Sequence, residues 1–278
     1  MDTAIKIPKM LENETNDFCP GCMLGIVIRL IAELIEEMEL NDVQLLPLGV
    51  PCPENATGWG EFTILKPPFG ASAMSASIKR LHPDRPVIIF QGEGSTASSG
   101  VSDTIHTANR GDAVTVVSIN NLCKDNFSSG MPFGSAYSFQ SPASFQSPAS
   151  FQSPASFQSP ASFQSPASFQ SPASFQSPAS FQPPNIPGNL KTAEMIATLP
   201  KAQYVARVSL HNPSEILKAK ASIKKALEIQ ICHQGYSYVE IMCACPVSLD
   251  IEPAEAPQYM QDVLLPDYSL GVFKTIDE

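Results

Sequence analysis

The chain has 278 residues, 43% of them hydrophobic, enough for one large domain or two small ones with a sizeable buried core. Its net charge of -10 leaves no basic excess to neutralise phosphates and argues against a nucleic-acid partner. The opening stretch, MDTAIKIPKMLENETNDF, has no apolar core and does not read as a secretory signal.

The next stretch, MLGIVIRLIAELIEEMEL, is apolar but carries Arg29, Glu33, Glu36 and Glu37. It predicts an amphipathic helix over about 23–40, not a membrane span. The expected protein is therefore soluble and cytoplasmic, without membrane contact, and its seven cysteines are expected as thiols or metal ligands, not disulfides. Further helices are predicted over about 70–81, 97–110, 188–199, 212–230 and 253–264. Strands are predicted over about 43–49, 86–91, 114–119, 203–209 and 236–243, from β-rich runs such as VIIF, VTVVSI, YVARVSL and YVEIM. Asn212-Pro213 fits a helix start, with proline at the first helical position. Alternating helices and strands predict an α/β fold: a mostly parallel sheet with helices on both faces.

One segment breaks the pattern. From Ser141 to Gln182 the hexad SPASFQ repeats seven times without a change. One proline per hexad blocks regular helix and central strand, and phenylalanine at every sixth position fits neither period. Residues 138–184 are therefore expected to be a low-complexity insertion, extended or disordered with polyproline II character. An inert surface insertion costs little stability, and an interaction arm bearing phenylalanines is the alternative. Residues 1–137 and 185–278, on either side, are expected to form one globular domain together.

Two motifs carry chemistry. In FCPGCML, Cys19 and Cys22 flank a tight turn made by Pro20 and Gly21, a spacing that points two sulfurs at one atom. Cys52, in GVPCPE, follows one predicted strand, and Cys245, in CACPVS, ends another. In a parallel sheet such strand ends gather at one edge, so the four cysteines are expected to converge there. Their order suits a 4Fe–4S cluster; zinc, or no metal at all, remains an alternative. Cys123, Cys232 and Cys243 read as ordinary buried thiols.

The second motif is QGEG. Strand 86–91, the turn at Gly92, Glu93 and Gly94, helix 97–110 and strand 114–119 form one βαβ unit. Free N–H groups at the helix start would face an anion. Asn121 ends the next strand, 28 residues after Glu93. An acid on one strand end and an asparagine on its neighbour can hold one Mg²⁺ on a diphosphate, since Mg²⁺ prefers oxygen ligands and shared phosphates. The pattern suggests thiamine diphosphate, with a plain βα turn as the alternative.

Taken together, these residues resemble the β subunit of 2-oxoacid:ferredoxin oxidoreductases, closest to the 2-oxoisovalerate type. The resemblance runs through CPGC with GIVIRLIAELIEE, IKRLHPDRPVIIFQGEG, IHTANRG, VTVVSINN, YVARVSLHNPSEILKAKASIKKALE and LLPDYSLGVFK, nearly everything outside the repeat tract. It implies a thiamine diphosphate-binding fold and a 4Fe–4S cluster on Cys19, Cys22, Cys52 and Cys245. It places Gly92, Glu93, Gly94 and Ser95 in the cofactor loop, with Glu93 on the family's metal-binding aspartate. Asn121 falls on the Mg²⁺-binding asparagine, and Cys123 would give a backbone carbonyl to the metal. The implied reaction is oxidative decarboxylation of a 2-oxoacid, with electrons passing through the cluster to ferredoxin and the acyl group to coenzyme A. The implied partners are an α subunit and further γ and δ subunits.

The sequence also departs from the family. Met23-Leu24 stand where a Gly-His pair is usual, Pro68-Phe69-Gly70 where His-Gly-Arg is usual, and Ser95 where a second acid is usual. A tyrosine-led, threonine- and glycine-rich loop is replaced by LCKDNFSSGMPFGSAYS, which runs into the repeats. These changes cluster on the cofactor side, while all four cysteines remain. The alternative they suggest is a degenerate paralogue that keeps the cluster as an electron-transfer or scaffold subunit without thiamine chemistry.

Overall fold

Among the described residues, seven strands make one sheet. The computed structural model describes residues 7–11, 18–48, 62–67, 70–92, 96, 100–121, 190–249 and 251–276. The strands are β1 (Gln44–Leu48), β2 (Thr63–Ile64), β3 (Val87–Gly92), β4 (Thr115–Asn120), β5 (Ala202–Ser209), β6 (Tyr236–Met242) and β7 (Gly271–Lys274). Their order across the sheet is β2-β1-β3-β4-β6-β5-β7. Every pairing is parallel except that of β7, which runs antiparallel to β5 at the edge. This is the expected α/β architecture with a mostly parallel sheet. The repeat tract, residues 138–184, lies outside the described residues.

Both faces of the sheet are buried, as the period-two pattern requires. Leu45, Ile88, Phe90, Val117, Ile119, Ala206, Val239 and Ile241 pack into one core. Leu46, Val87, Ile89, Val116, Val205, Tyr236 and Tyr238 pack into the other. The first core is closed by α1 (Leu24–Glu37) and a later long helix, Pro213–Ile231. In α1 the buried positions Leu24, Val27, Ile28, Ile31, Leu34 and Ile35 form one helical stripe. Burying each such leucine or isoleucine is worth roughly 1.5–3 kcal/mol.

The second face is covered by α2 (Ala71–Leu81), α3 (Val101–Arg110) and α4 (Thr192–Ala197). The long helix is α5; Asn212 caps it by accepting the Glu215 N–H at 2.9 Å, with Pro213 at the first position. The described part of α3 begins at Val101, and the expected start at 97 lies outside the described residues. The Thr104 N–H donates to the Gly100 carbonyl at 2.9 Å at that end of the helix. A short helix, α6 (Pro246–Leu249), follows β6, and the stretch 253–264 is helical throughout, as 3₁₀, α and π turns in succession. No helix among the described residues is long and apolar enough to cross a membrane.

Candidate functional site

Parallel strands put the C-terminal ends of β1, β3, β4, β5 and β6 along one edge, where open α/β sheets bind their ligands. The described part of the site is built on β4, β6 and the turn before α1. In that turn the Cys22 N–H bonds the Cys19 carbonyl at 3.0 Å. Gly21 takes φ +75°, and a side chain there would meet Pro253 Cβ at 2.7 Å and Pro246 Cγ at 3.2 Å. Glycine is thus required twice, by the left-handed backbone and by the close approach of the two prolines.

The turn leads directly into a small hollow. Cys22, Met23 and Leu24 line one side; Asn121, Cys243, Ala244 and Cys245 line the other. Two candidate cluster ligands, far apart in sequence, therefore meet the candidate metal-binding asparagine at one place. Cys22 and Cys245 are half-buried and Asn121 is buried. Cys19 is exposed and lies outside the lining, so the CPGC turn brings one sulfur to the hollow instead of two. Among the described residues no group of three or more His, Cys, Asp or Glu is gathered tightly enough to hold a metal ion. Cys52, Glu93, Gly94, Ser95, Cys123 and Pro68 lie outside the described residues.

The ends of β4 and β6 are tied together. The Cys243 N–H donates to the Asn120 carbonyl at 3.0 Å, which places the Cys243–Cys245 segment against Asn121. Gly92 closes β3, paired with Ile119, and Thr96 Oγ1 donates to the Gly92 carbonyl at 3.1 Å while lying 3.2 Å from Ser118 Oγ. Thr96 is thus tied both to the end of β3 and to β4. His211, beyond β5, has both ring nitrogens engaged, by Ser209 at 2.7 Å and Asn212 at 2.8 Å.

Behind the hollow lies a polar row that the sequence reading missed. Gln91, Ser118, Glu240 and Arg207 occupy one continuous cross-strand register, all buried. Arg207 Nε donates to Glu240 Oε2 at 2.7 Å, and Asn120 Nδ2 donates to Glu240 Oε1 at 2.8 Å. Arg207 Nη1 also reaches Glu194 Oε1 at 2.8 Å and the Ser269 carbonyl at 3.2 Å, Nη2 bonds Glu194, and the guanidinium lies between the rings of Tyr268 and Phe273. Burial works against the Arg207 charge, but its bonds to Glu194 and Glu240 outweigh this and hold its pKa above the ordinary value. The signal in the sequence was one charge of each sign inside otherwise apolar strand runs, VARVS and YVEIM, since a buried charge needs a partner.

These residues fit the groups implied by the sequence in kind. Thiolates suit an iron–sulfur cluster, and an asparagine oxygen suits Mg²⁺. Among the described residues, both amide atoms of the buried Gln91 and the Oδ1 of Asn120 have no hydrogen-bond partner, so these polar groups near Gly92 can serve a polar ligand, water or the neighbouring loop.

The model of the thiamine pyrophosphate enzyme C-terminal TPP-binding domain matches residues 69–154, which include α2, β3, α3 and β4. The ketoisovalerate oxidoreductase subunit VorA of Methanothermobacter thermautotrophicus is 26% identical over 259 residues, covering 92% of this chain and 47% of its own length. The chain thus spans about half the length of that relative. The 2-oxoglutarate synthase subunit KorB of Methanocaldococcus jannaschii is 23% identical over 256 residues, covering 88% of this chain and 77% of its own. Among solved structures, a 2-oxoglutarate:ferredoxin oxidoreductase from Magnetococcus marinus, with 2-oxoglutarate, coenzyme A and succinyl-CoA bound, superposes with a TM-score of 0.56. That match covers 99% of this chain and 87% of the other at 15% identity, and is a likeness of fold.

Proposed function

We propose that this homologue of the 2-oxoacid oxidoreductase subunits VorA and KorB, which carries their thiamine diphosphate-binding fold, is the β subunit of a 2-oxoacid:ferredoxin oxidoreductase. The reaction is oxidative decarboxylation of a 2-oxoacid to its acyl-coenzyme A, with electrons leaving through a 4Fe–4S cluster to ferredoxin. The observation that carries this reading is the single hollow lined by Cys22 and Cys245 together with Asn121. It supports the reading because two candidate thiol donors and a candidate donor to the diphosphate metal line the same hollow.

The chain's own residues divide the work. Asn121, with Glu93 and the Cys123 carbonyl, would hold Mg²⁺ on the diphosphate, and Gly92, Gly94 and Ser95 would shape the loop around it. Cys19, Cys22, Cys52 and Cys245 would hold the cluster. Bound thiamine diphosphate supplies the electron sink for decarboxylation, and the cluster supplies one-electron transfer. Met23 and Leu24, both buried in the hollow, keep water away from the sulfurs and so set their dielectric surroundings. The 2-oxoacid and coenzyme A are the substrates, an α subunit completes the site, γ and δ subunits and ferredoxin are further partners, and the complex is cytoplasmic. Residues 1–137 and 185–278 form the functional domain, and 138–184 is an insertion in it.

A second reading is favoured by the same Met23 and Leu24. Two apolar side chains face the hollow where relatives of this type usually carry a Gly-His pair, and they offer a diphosphate nothing. On that reading the chain is a cluster-bearing electron-transfer or scaffold subunit without thiamine chemistry. Anaerobic calorimetric titration of the full chain with thiamine diphosphate and Mg²⁺ decides between the two. Binding at roughly micromolar dissociation constant establishes the first. A folded, iron-loaded chain that shows no heat up to about millimolar ligand establishes the second.

A further inference from the structure

We propose that Glu240 is a positioning residue: through Asn120 it fixes the end of β4 against the end of β6, and so sets Asn121 and Cys245 at the hollow. This rests on the reading of that hollow as the cofactor site. The two oxygens of the Glu240 carboxylate are divided between flanking strands. Oε1 takes the Asn120 amide of β4 at 2.8 Å and Oε2 takes Arg207 Nε of β5 at 2.7 Å. Arg207 has no freedom to turn, because Glu194, the Ser269 carbonyl and two aromatic rings hold it on every side. The carboxylate therefore has one orientation, and Asn120 is bonded to a fixed point.

Among the described residues Asn120 makes that one side-chain bond, and its Oδ1 meets no partner. Its backbone carbonyl receives the Cys243 N–H. The next residue on one strand is Asn121, and two residues on from Cys243 on the other is Cys245; both line the hollow. The β4–β6 ladder runs in register from Thr115 and Ser237 to Asn120 and Met242, and the side-chain and backbone bonds at Asn120 fasten its last rung, next to the two walls. A buried ion pair on its own is a weak source of stability compared with packed apolar side chains. Neighbouring positions in the same strand, Val239 and Ile241, are apolar and fully buried. The charge at 240 is accounted for by what it orients.

The test uses the full apo chain and the alkylation rate of Cys245 by iodoacetamide, read peptide by peptide, with exposed Cys232 as the internal reference. Asn120→Asp sets a carboxylate against Glu240 and should raise the Cys245 rate, relative to Cys232, by roughly tenfold to a hundredfold, the shift given by losing one charge-assisted hydrogen bond. Asn120→Ala, which removes the bond without adding repulsion, should raise it in the same direction. Glu240→Gln combined with Asn120→Asp restores a donor facing an acceptor, and should return the rate to within about twofold of the parent. An unchanged rate in both single variants, or a double variant no slower than Asn120→Asp alone, overturns the proposal. Titration of the same variants with thiamine diphosphate and Mg²⁺ should follow the same order. A parent chain that binds neither would refute the proposed function, while the alkylation rates would still decide the role of Glu240.

Discussion

Arg207 and Glu240 are bonded across the neighbouring strands β5 and β6 at 2.7 Å, with both side chains buried. Each depends on the other for its charge. Arg207→Met keeps the length and apolar stem of the side chain but leaves Glu240 buried without its cation and Glu194 without its fork of donors. Removing one partner of a buried pair typically costs about 3–5 kcal/mol. Urea unfolding of Arg207→Met should show a loss of that order, with the slope of the transition unchanged. A loss under about 1 kcal/mol, the range of surface pairs, would mean that the pair is solvated in solution.

That pair also marks the limit of what the sequence made legible. Strand and helix periods reported each element's own burial, so β1, β3 to β6, α1, α2 and α5 were readable from their apolar spacing. The short β2 and the antiparallel β7 were not, because two and four residues hold too little pattern to stand out. The approach of Cys22 and Asn121 to Cys245 was not readable from the strands alone, because Cys22 sits in the turn before α1 and only tertiary packing brings that turn to the sheet edge. Nor was the exposure of Cys19, since it depends on Gly21 fitting against Pro246 and Pro253, more than 220 residues away in sequence. Arg207, Glu194, Glu240 and Asn120 lie on four separate elements, and only the register joins them.

Gln230 on α5 gives a second stability prediction. Its side-chain amide acts as a strand partner for Val87, donating from Nε2 to the Val87 carbonyl at 2.6 Å and accepting the Val87 N–H at 3.1 Å. Both residues are fully buried. Gln230→Met fills the same space and leaves both backbone groups of Val87 unpaired. Each orphaned group costs about 1–3 kcal/mol, so the thermal midpoint should drop by several degrees. Hydrogen exchange should speed up at the start of β3 ahead of the strand's C-terminal half. Uniform exchange along β3 would count against a local role.

Acid should weaken the fold in a defined direction. Burial alone would raise the pKa of Glu194, and its bonds to Arg207 outweigh that and hold it below 4.5; Glu33 is held down in the same way by Arg29 and Lys220. A folded-state pKa below the unfolded one means that the unfolded chain binds more protons in the acid range. The stability these groups add is therefore complete above about pH 4.5 and is lost as pH falls through the depressed values. Urea midpoints should hold level from about pH 6 to about pH 5 and then decline. Glu194→Gln should lower the plateau and flatten part of the decline. An acid limb identical to that of the parent would show that Glu194 is not the group titrating.

Cys245 carries the prediction that separates metal chemistry from packing. It is half-buried at the hollow, while Cys232, expected from the sequence to be a buried thiol, is exposed where α5 ends. Truncating either thiol should change stability by no more than about 1 kcal/mol, the usual scale for partly exposed positions. After anaerobic reconstitution with iron and sulfide, the parent and Cys232→Ala should be brown and carry equal iron and acid-labile sulfide. Cys245→Ala should be folded, pale and depleted of both. Iron content equal to the parent's in Cys245→Ala would remove this residue from the ligand set. A colourless parent that takes up zinc in place of iron would shift the thiols at the hollow to a structural metal, because zinc carries no electrons and ferredoxin would then have no donor on this subunit.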